Sequence, residues 1–176
     1  VSLSVLIQQI LFKVDSVPVF VAGGIATGRM MAHLLLMGAA GIQMGTRFVL
    51  SDECKAHPAF KESFVKARAR DAMATPQFDS RLPVIPVRAL KNLGTLEFGK
   101  LQYELLHKLD NEMIDRDTAQ MEVEKFWVGA LRSAVVDGDV KQGSLMAGQS
   151  VGLSNEIKPI AAIIHELVQE AEETLA

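Results

Sequence analysis

The sequence predicts an α/β protein carrying consecutive β/α units of a parallel barrel, and three observations support that expectation. Two short apolar runs, "PVFVA" and the start of "GIQMGTRFV", have the unbroken hydrophobicity of strands buried on both faces of a parallel sheet. Each run closes on glycine, at Gly23-Gly24 and at Gly45. Helical periodicity precedes and separates the runs, so helix, strand, helix and strand follow one another with short loops, the order of a right-handed β/α repeat.

Leu3, Leu6, Ile7, Ile10 and Leu11 recur at helical spacing and predict an amphipathic helix over the first dozen residues. The strand of "PVFVA" comes next, followed after Gly23-Gly24 by a helix over 27–37. Thr27 is placed to cap that helix and Gly38 to end it. After the second strand the alternation stops. The pattern predicts a charged surface helix over 54–69, an irregular Pro-containing segment over 75–86, and two longer helices over 97–109 and 117–136. The stretch "DGDVKQGSLMAGQSVG" is rich in glycine but too apolar at its centre for a free linker. Pro159 opens a last helix with Ile160, Ile163, Ile164, Leu167 and Val168 on its expected buried face. Three regions follow: 1–54 as the barrel portion with its glycine loops, 55–136 as a helical insertion or extension, and 137–176 as a return segment with a closing helix.

Composition narrows the functional classes. The formal net charge of -3 supplies no basic excess for nucleic acid. No apolar run reaches the roughly 20 residues needed to span a bilayer, and the first residues lack the basic region and cleavage site of a secretory signal. The only cysteine, Cys54, excludes an intrachain disulfide and fits a reducing compartment, so a cytoplasmic protein is expected. Two strands are too few for a stable sheet. The chain also lacks an initiating Met and opens within a helical pattern, so it reads as a piece of a longer protein whose remaining strands come from preceding sequence or another chain.

Ligands of parallel α/β sheets bind at the carboxyl ends of the strands, where both glycine ends fall. Gly23 and Gly24 let bare backbone N–H groups approach an anion, with the positive end of the following helix pointing to the same place. Gly45 and Thr46 offer the same one β/α unit later, with a hydroxyl added. A phosphate site shared by the loops after strands 7 and 8 is a recurring feature of (β/α)8 barrels. Glycine at a strand end is also ordinary turn chemistry; the two ends in register favour a phosphate-bearing ligand.

The run "VPVFVAGGIATGRMMAHLLLMGAAGIQMGTRFVLSDEC", continuing to "AHPAFKE", resembles the flavin-binding half of the nitronate monooxygenase (2-nitropropane dioxygenase-like) family. That family also holds the FMN-dependent enoyl-acyl-carrier-protein reductases of bacterial fatty-acid synthesis. "VRALKN" and "GALRSAVVDGDVKQGSLMAGQSVGL" resemble the reductase branch more closely. The resemblance implies the C-terminal part of an FMN-binding TIM barrel, with strand 7 at 19–21, strand 8 at 42–44 and an inserted helical region, in a fragment lacking strands 1–6. It implies that Gly24, Gln43, Met44, Gly45 and Thr46 bind FMN chiefly through its phosphate, that Ala22 and Gly23 line the same loop, and that Met146, Ala147, Gly148 and Gln149 return near the cofactor. NADH or NADPH is the implied co-substrate. The implied partners are a small-molecule or acyl-carrier-protein-linked substrate and the N-terminal half of the barrel, with homodimerisation left open. The family's Gly-Gly-His histidine, its usual acid/base candidate, belongs upstream, so no catalytic residue is expected here.

Other chemistry-bearing residues read as structural. His33, His57, His107 and His165 lie outside the family's histidine context, and Cys54 has acidic neighbours that disfavour a thiolate. Asp52, Glu53, Asp137 and Asp139 have no His or Cys at ligand spacing, so no metal is expected, and Asp137-Gly138-Asp139 reads as a turn. Arg47 and Arg88 are candidates either for positioning an acidic substrate or for ion pairing. Met30, Met31, Met37 and Met44 suit a core, and Trp127 lies on a helix expected to pack on the barrel. Three functions remain open: enoyl reduction, nitronate oxidation with oxygen, and an inactive fragment or interaction module.

Overall fold

The computed structural model describes residues 1–82, 84 and 86–176. It opens with helix α1, Leu3–Leu11, followed by strand β1, Phe20–Ala22, helix α2, Gly28–Leu36, and strand β2, Gly41–Gln43. The strands pair in parallel, Phe20 opposite Gly41, Val21 opposite Ile42 and Ala22 opposite Gln43. This is the predicted β/α order, with strand boundaries displaced by one residue from 19–21 and 42–44. Ile7 from α1, Val21 from β1 and Leu34 from α2 meet in one core, with Ile25 and Ala39 at its ends. Thr27 caps α2 by accepting from the Met30 N–H at 3.2 Å, and Gly38 leaves the helix at φ 103°.

Burial of the strands on both faces is not observed. Only Val21 of β1 is buried, while Phe20 is 65% exposed and its ring lies over Gly41, where a Cβ would overlap it. Successive strand residues face opposite ways. Helices cover the Val21 face; on the other, no element of the described residues covers Phe20. On α1, Leu6 and Ile10 are likewise exposed.

Beyond β2 a four-residue helix, α3, Thr46–Val49, starts at Gly45. Helix α4, Pro58–Lys66, is shorter than the expected charged surface helix over 54–69 and amphipathic, with Glu62 and Lys66 exposed on one side and Phe60, Lys61 and Phe64 buried on the other. Phe60 and Phe64 stack at 4.8 Å in the central core with Leu50, Ala72 and Leu145. Lys61 is buried as well, donating to the Ser51 and Asp52 carbonyls at 2.6 and 3.3 Å. Of its polar residues, Lys61 and Ser63 are spent on backbone carbonyls, Ser63 on that of Ala59, while Glu62 and Lys66 pair on the exposed face.

A second, antiparallel pair was not foreseen: β3, Ala72–Ala74, with β4, Arg88–Leu90. The return segment adds to its edge, Met146 bridging Ala89, the Ala147 N–H donating to the Arg88 carbonyl and the Leu90 N–H to the Leu145 carbonyl. The expected irregular segment over 75–86 joins the two strands; positions 83 and 85 lie outside the described residues. Fully buried Gln102 organises its start, accepting from the Phe78 N–H and donating to the Pro76 carbonyl.

Helices α5, Leu93–Asp110, and α6, Arg116–Arg132, are longer than or close to the predicted pair. They pack on each other rather than on the parallel strands. Trp127, expected against the barrel, sits 4.7 Å from Phe98 in a core of Leu82, Val84, Leu105, Ala119 and Val123. The α6 backbone then widens into a π turn over Ser133–Asp137, ended by Gly138 in the left-handed region, which is the predicted Asp-Gly-Asp turn.

Helix α7, Ile160–Leu175, closes the fold against α2. Glu53 accepts from the Ile160 N–H at its start. Its buried stripe is Ile163, Leu167 and Ala171, while Ile160, Ile164 and Val168 are exposed. Gly28 of α2 explains the narrow stripe: a Cβ there would overlap the Leu167 carbonyl, so the two helices meet backbone to backbone.

Candidate functional site

The parallel register carries the two glycine ends to one edge of the sheet. Ala22 and Gln43 are paired, so the chain leaves both strands side by side, into Gly23-Gly24 on one and Met44-Gly45-Thr46 on the other. Ala22 and Gln43 are the last residues of their strands rather than loop residues, and both are exposed. Gly23 and Gly24 hold φ of 102° and 70°, a region that L-residues enter at a cost. Gly45 has an ordinary φ of -91°. Nothing lies within 4 Å of where a Cβ would stand on any of the three. These glycines leave an open surface of bare backbone.

The third sequence segment joins this edge. Thr46 Oγ1 accepts from the Gly148 N–H at 2.9 Å, across 102 residues of chain. Ala147 is buried in the central core and fixes the segment, while Met146 and Gln149 flank the contact and are exposed. A Cβ on Gly148 would stand 3.4 Å from Thr46 Oγ1 and 3.5 Å from Ser150 Oγ, in ordinary contact with both hydroxyls. With its acceptor side used by Gly148, the Thr46 hydroxyl proton is free to be given to a ligand.

The start of α2 departs from the sequence expectation. Its first N–H, at Gly28, donates to Glu170 Oε2 of α7 at 2.7 Å, and the Met30 N–H goes to Thr27. A carboxylate of the chain itself therefore complements the positive end of the helix, leaving the glycine loop, not the first turn of α2, open to an anion. Helix α3 is short and starts directly from the second glycine end, at Gly45.

The two arginines considered from sequence serve the framework. Arg88 Nη1 donates to the Ala72 carbonyl at 3.0 Å. Arg47, 8% exposed, reaches Glu166 of α7 through Nη2 at 3.6 Å. Lys158 donates to Glu166 at 2.7 Å and Glu156 at 3.0 Å, and these carboxylates, Glu166 foremost, raise its pKa and keep it cationic. Sequence reasoning missed this cluster because Arg47 lies more than a hundred residues from Glu156, Lys158 and Glu166, with no motif linking them. The histidines stay outside the glycine edge: His57 caps α4 through Nδ1, and His33, His107 and His165 are exposed. Cys54 is half-buried and unbridged. Among the described residues no three His, Cys, Asp or Glu side chains gather as metal ligands would, and no helix is long and apolar enough to cross a membrane.

Residues 1–170 match the model of one protein family, nitronate monooxygenase. The chain belongs to the nitronate monooxygenase family. This family is one of FMN-dependent flavoenzymes. A probable nitronate monooxygenase of Staphylococcus saprophyticus is 27% identical over 171 residues, covering 97% of this chain and 43% of the relative. An octahydro-indene carboxyl-CoA dehydrogenase of Mycobacterium tuberculosis is 28% identical over 180 residues, covering 88% of this chain and 50% of that protein. The solved structure of FabK from Thermotoga maritima superposes with a TM-score of 0.79 at 39% identity, covering 99% of this chain and 50% of that one. A nitroalkane oxidase from Streptomyces ansochromogenes gives a TM-score of 0.69 at 26% identity, covering 98% of this chain and 44% of that one. The chain thus spans about half the length of the relatives it matches, and those structural relatives are TIM barrels.

The open glycine edge fits the family's cofactor. The three glycine Cβ positions are vacant, as close approach of a phosphate to backbone requires, and no acidic side chain belongs to the loops 22–24 and 43–46.

Proposed function

We propose that this chain contributes the phosphate-binding edge of an FMN-dependent oxidoreductase, and that the full-length protein reduces enoyl thioesters carried on an acyl-carrier protein. The bond from the Gly148 N–H to Thr46 supports the reading most directly, because it joins the glycine edge to the "MAGQ" segment shared with the reductase branch. The 39% identity to FabK, against 26–28% to nitronate monooxygenases and the nitroalkane oxidase, favours the same branch. The carboxyl-CoA dehydrogenase among the relatives acts, by its name, on a CoA thioester.

In this reading the FMN supplies hydride transfer from a nicotinamide nucleotide to the β-carbon of the enoyl thioester, with a proton added at the α-carbon. The residues of this chain hold and orient. Gly23 and Gly24 admit the phosphate to the backbone, Gly45 and Thr46 give a second wall with a hydroxyl donor, and Gly148 fixes the Thr46 rotamer. Met146 and Gln149 stand exposed at the rim, placed to border the bound cofactor. The residues of 1–54 form the cofactor edge, those of 55–136 the helical extension and those of 137–176 the return segment and closing helix.

The test is steady-state turnover by the full-length protein. Oxidation of NADH or NADPH that depends on crotonyl thioester supports the reductase. Oxidation of an alkyl nitronate with oxygen uptake and no enoyl reduction would replace it with the monooxygenase, the second reading, which the family match itself favours. Isolation of the full-length protein without flavin, and with neither activity, would leave an interaction module.

A further inference from the structure

A second polar recess lies behind the glycine edge. It has a volume of about 150 Å3 and is bounded by the start of α2, by α3, by residues 153–158 and by α7. Thr27, Arg47, Ser154, Asn155, Lys158 and Glu166 line it, and its walls are predominantly polar. None of Gly23, Gly24, Gly45 or Thr46 does.

Two of its lining side chains are buried donors with nothing to donate to. Arg47 is 8% exposed and Ser154 is 4% exposed, and among the described residues neither Arg47 Nη1 nor Ser154 Oγ has a hydrogen-bond partner. A buried guanidinium nitrogen or hydroxyl left without a partner is costly, so such groups in folded proteins mark a bound water or ion. The recess also carries carboxylates, but each is engaged. Glu166 is shared by Lys158 and Arg47 Nη2, Glu156 is held by Lys158, and Glu170 accepts from the Gly28 N–H. The buried lining atoms left without any partner are Arg47 Nη1, a donor, and Ser154 Oγ, which can donate. At roughly 30 Å3 per water, the space holds about five heavy atoms.

We propose that this recess binds a small oxyanion of the size of inorganic phosphate, held by Arg47 Nη1 and Ser154 Oγ. Arg47 can meet such an anion with two N–H groups while Nη2 keeps its link to Glu166, and the Ser154 hydroxyl adds a third donor. The three carboxylates on the walls against two cations keep the affinity modest and favour a singly charged anion. The site is distinct from the cofactor edge and does not rest on the flavin reading.

The test is phosphate binding to the full-length protein as isolated, followed by calorimetry at constant ionic strength with chloride as the control anion. Saturable binding is expected, weakened about tenfold in Ser154→Ala, which removes one hydrogen bond to a charged ligand, and lost in Arg47→Met. Gly24→Val, which disables the glycine edge, should still bind phosphate. Should Arg47→Met fail to fold, Ser154→Ala and Arg47→Lys carry the test. Absence of saturable binding, or unchanged binding in Ser154→Ala and either arginine variant, overturns the proposal. So does loss of binding in Gly24→Val alone, which would place the anion in the glycine loops.

Discussion

At Gly24 and Gly45 the backbone makes different demands, and the difference separates strain from ligand contact. Gly24 stands at φ 70°, where a β-branched residue costs about 1–2 kcal/mol before any ligand is considered. Gly38, at φ 103° with equally open surroundings, carries the same liability at the opposite end of β2 from Gly45. Gly24→Val and Gly38→Val should therefore lose similar stability in thermal unfolding, while only Gly24→Val loses flavin from the full-length protein. Equal flavin content in the two would remove Gly24 from the cofactor edge. Gly45 needs no unusual φ, so Gly45→Ala should leave stability within about 0.5 kcal/mol and still weaken flavin retention. Gly28 is the opposite case, an interior glycine with no room for a methyl. Gly28→Ala would push α2 off α7, and a loss of about 1–3 kcal/mol in chemical denaturation is expected, with release of Glu170 from the helix start.

At the scale of elements, legibility followed range. The first helix, both parallel strands, α2 with its Thr27 cap and Gly38 stop, and the Asp137-Gly138-Asp139 turn were readable because local periodicity and turn chemistry determine them. The β3–β4 pair was not, since each strand has three residues and its partner lies across a segment organised by Gln102. The exposed charges of α4 were readable, but the burial of Lys61 on the Ser51 and Asp52 carbonyls leaves no trace in spacing. The same holds for Arg47, Ser154 and Lys158. Asn92 shows how much one such residue can carry: it caps α5 in a reciprocal pair with Thr95 and donates through Nδ2 to the Val140 and Gly143 carbonyls. Asn92→Ala should cost about 1–3 kcal/mol and free the 140–143 turn, visible as faster amide exchange there. The α6 cap has a pH signature instead. The Thr118 hydroxyl, and with it the Thr118 N–H, holds the Asp115 carboxyl below its ordinary pKa. A carboxylate with a lowered folded pKa stabilises above its unfolded value, and that contribution is lost as pH falls through the folded one. The start of α6 should therefore fray on acidification below about pH 4. Asp115→Asn should abolish that dependence in the Thr118 amide shift.

For the whole molecule, the open face of the parallel pair is the property that reaches furthest. A closed barrel covers both sides of every strand, by its packed interior and by its outer helices. Here the Val21 side is packed and the Phe20 side is not, and Val17, Leu36, Val5 and Leu6 of α1 and Phe12 just after it are also exposed. Large exposed apolar side chains this frequent over residues 5–36 suit a surface built to be covered. The 176-residue chain produced on its own should therefore self-associate, with a scattering mass above the 19.2 kDa of a single copy, and should bind a hydrophobic dye strongly. Phe20→Ser should reduce both effects in the isolated chain. In the full-length protein the same substitution should instead destabilise, because the ring would then be removed from a packed interior. A monomeric, dye-silent chain whose behaviour Phe20→Ser leaves unchanged would mean that the exposed face needs no cover, and that β1 and β2 are not the edge of a larger barrel.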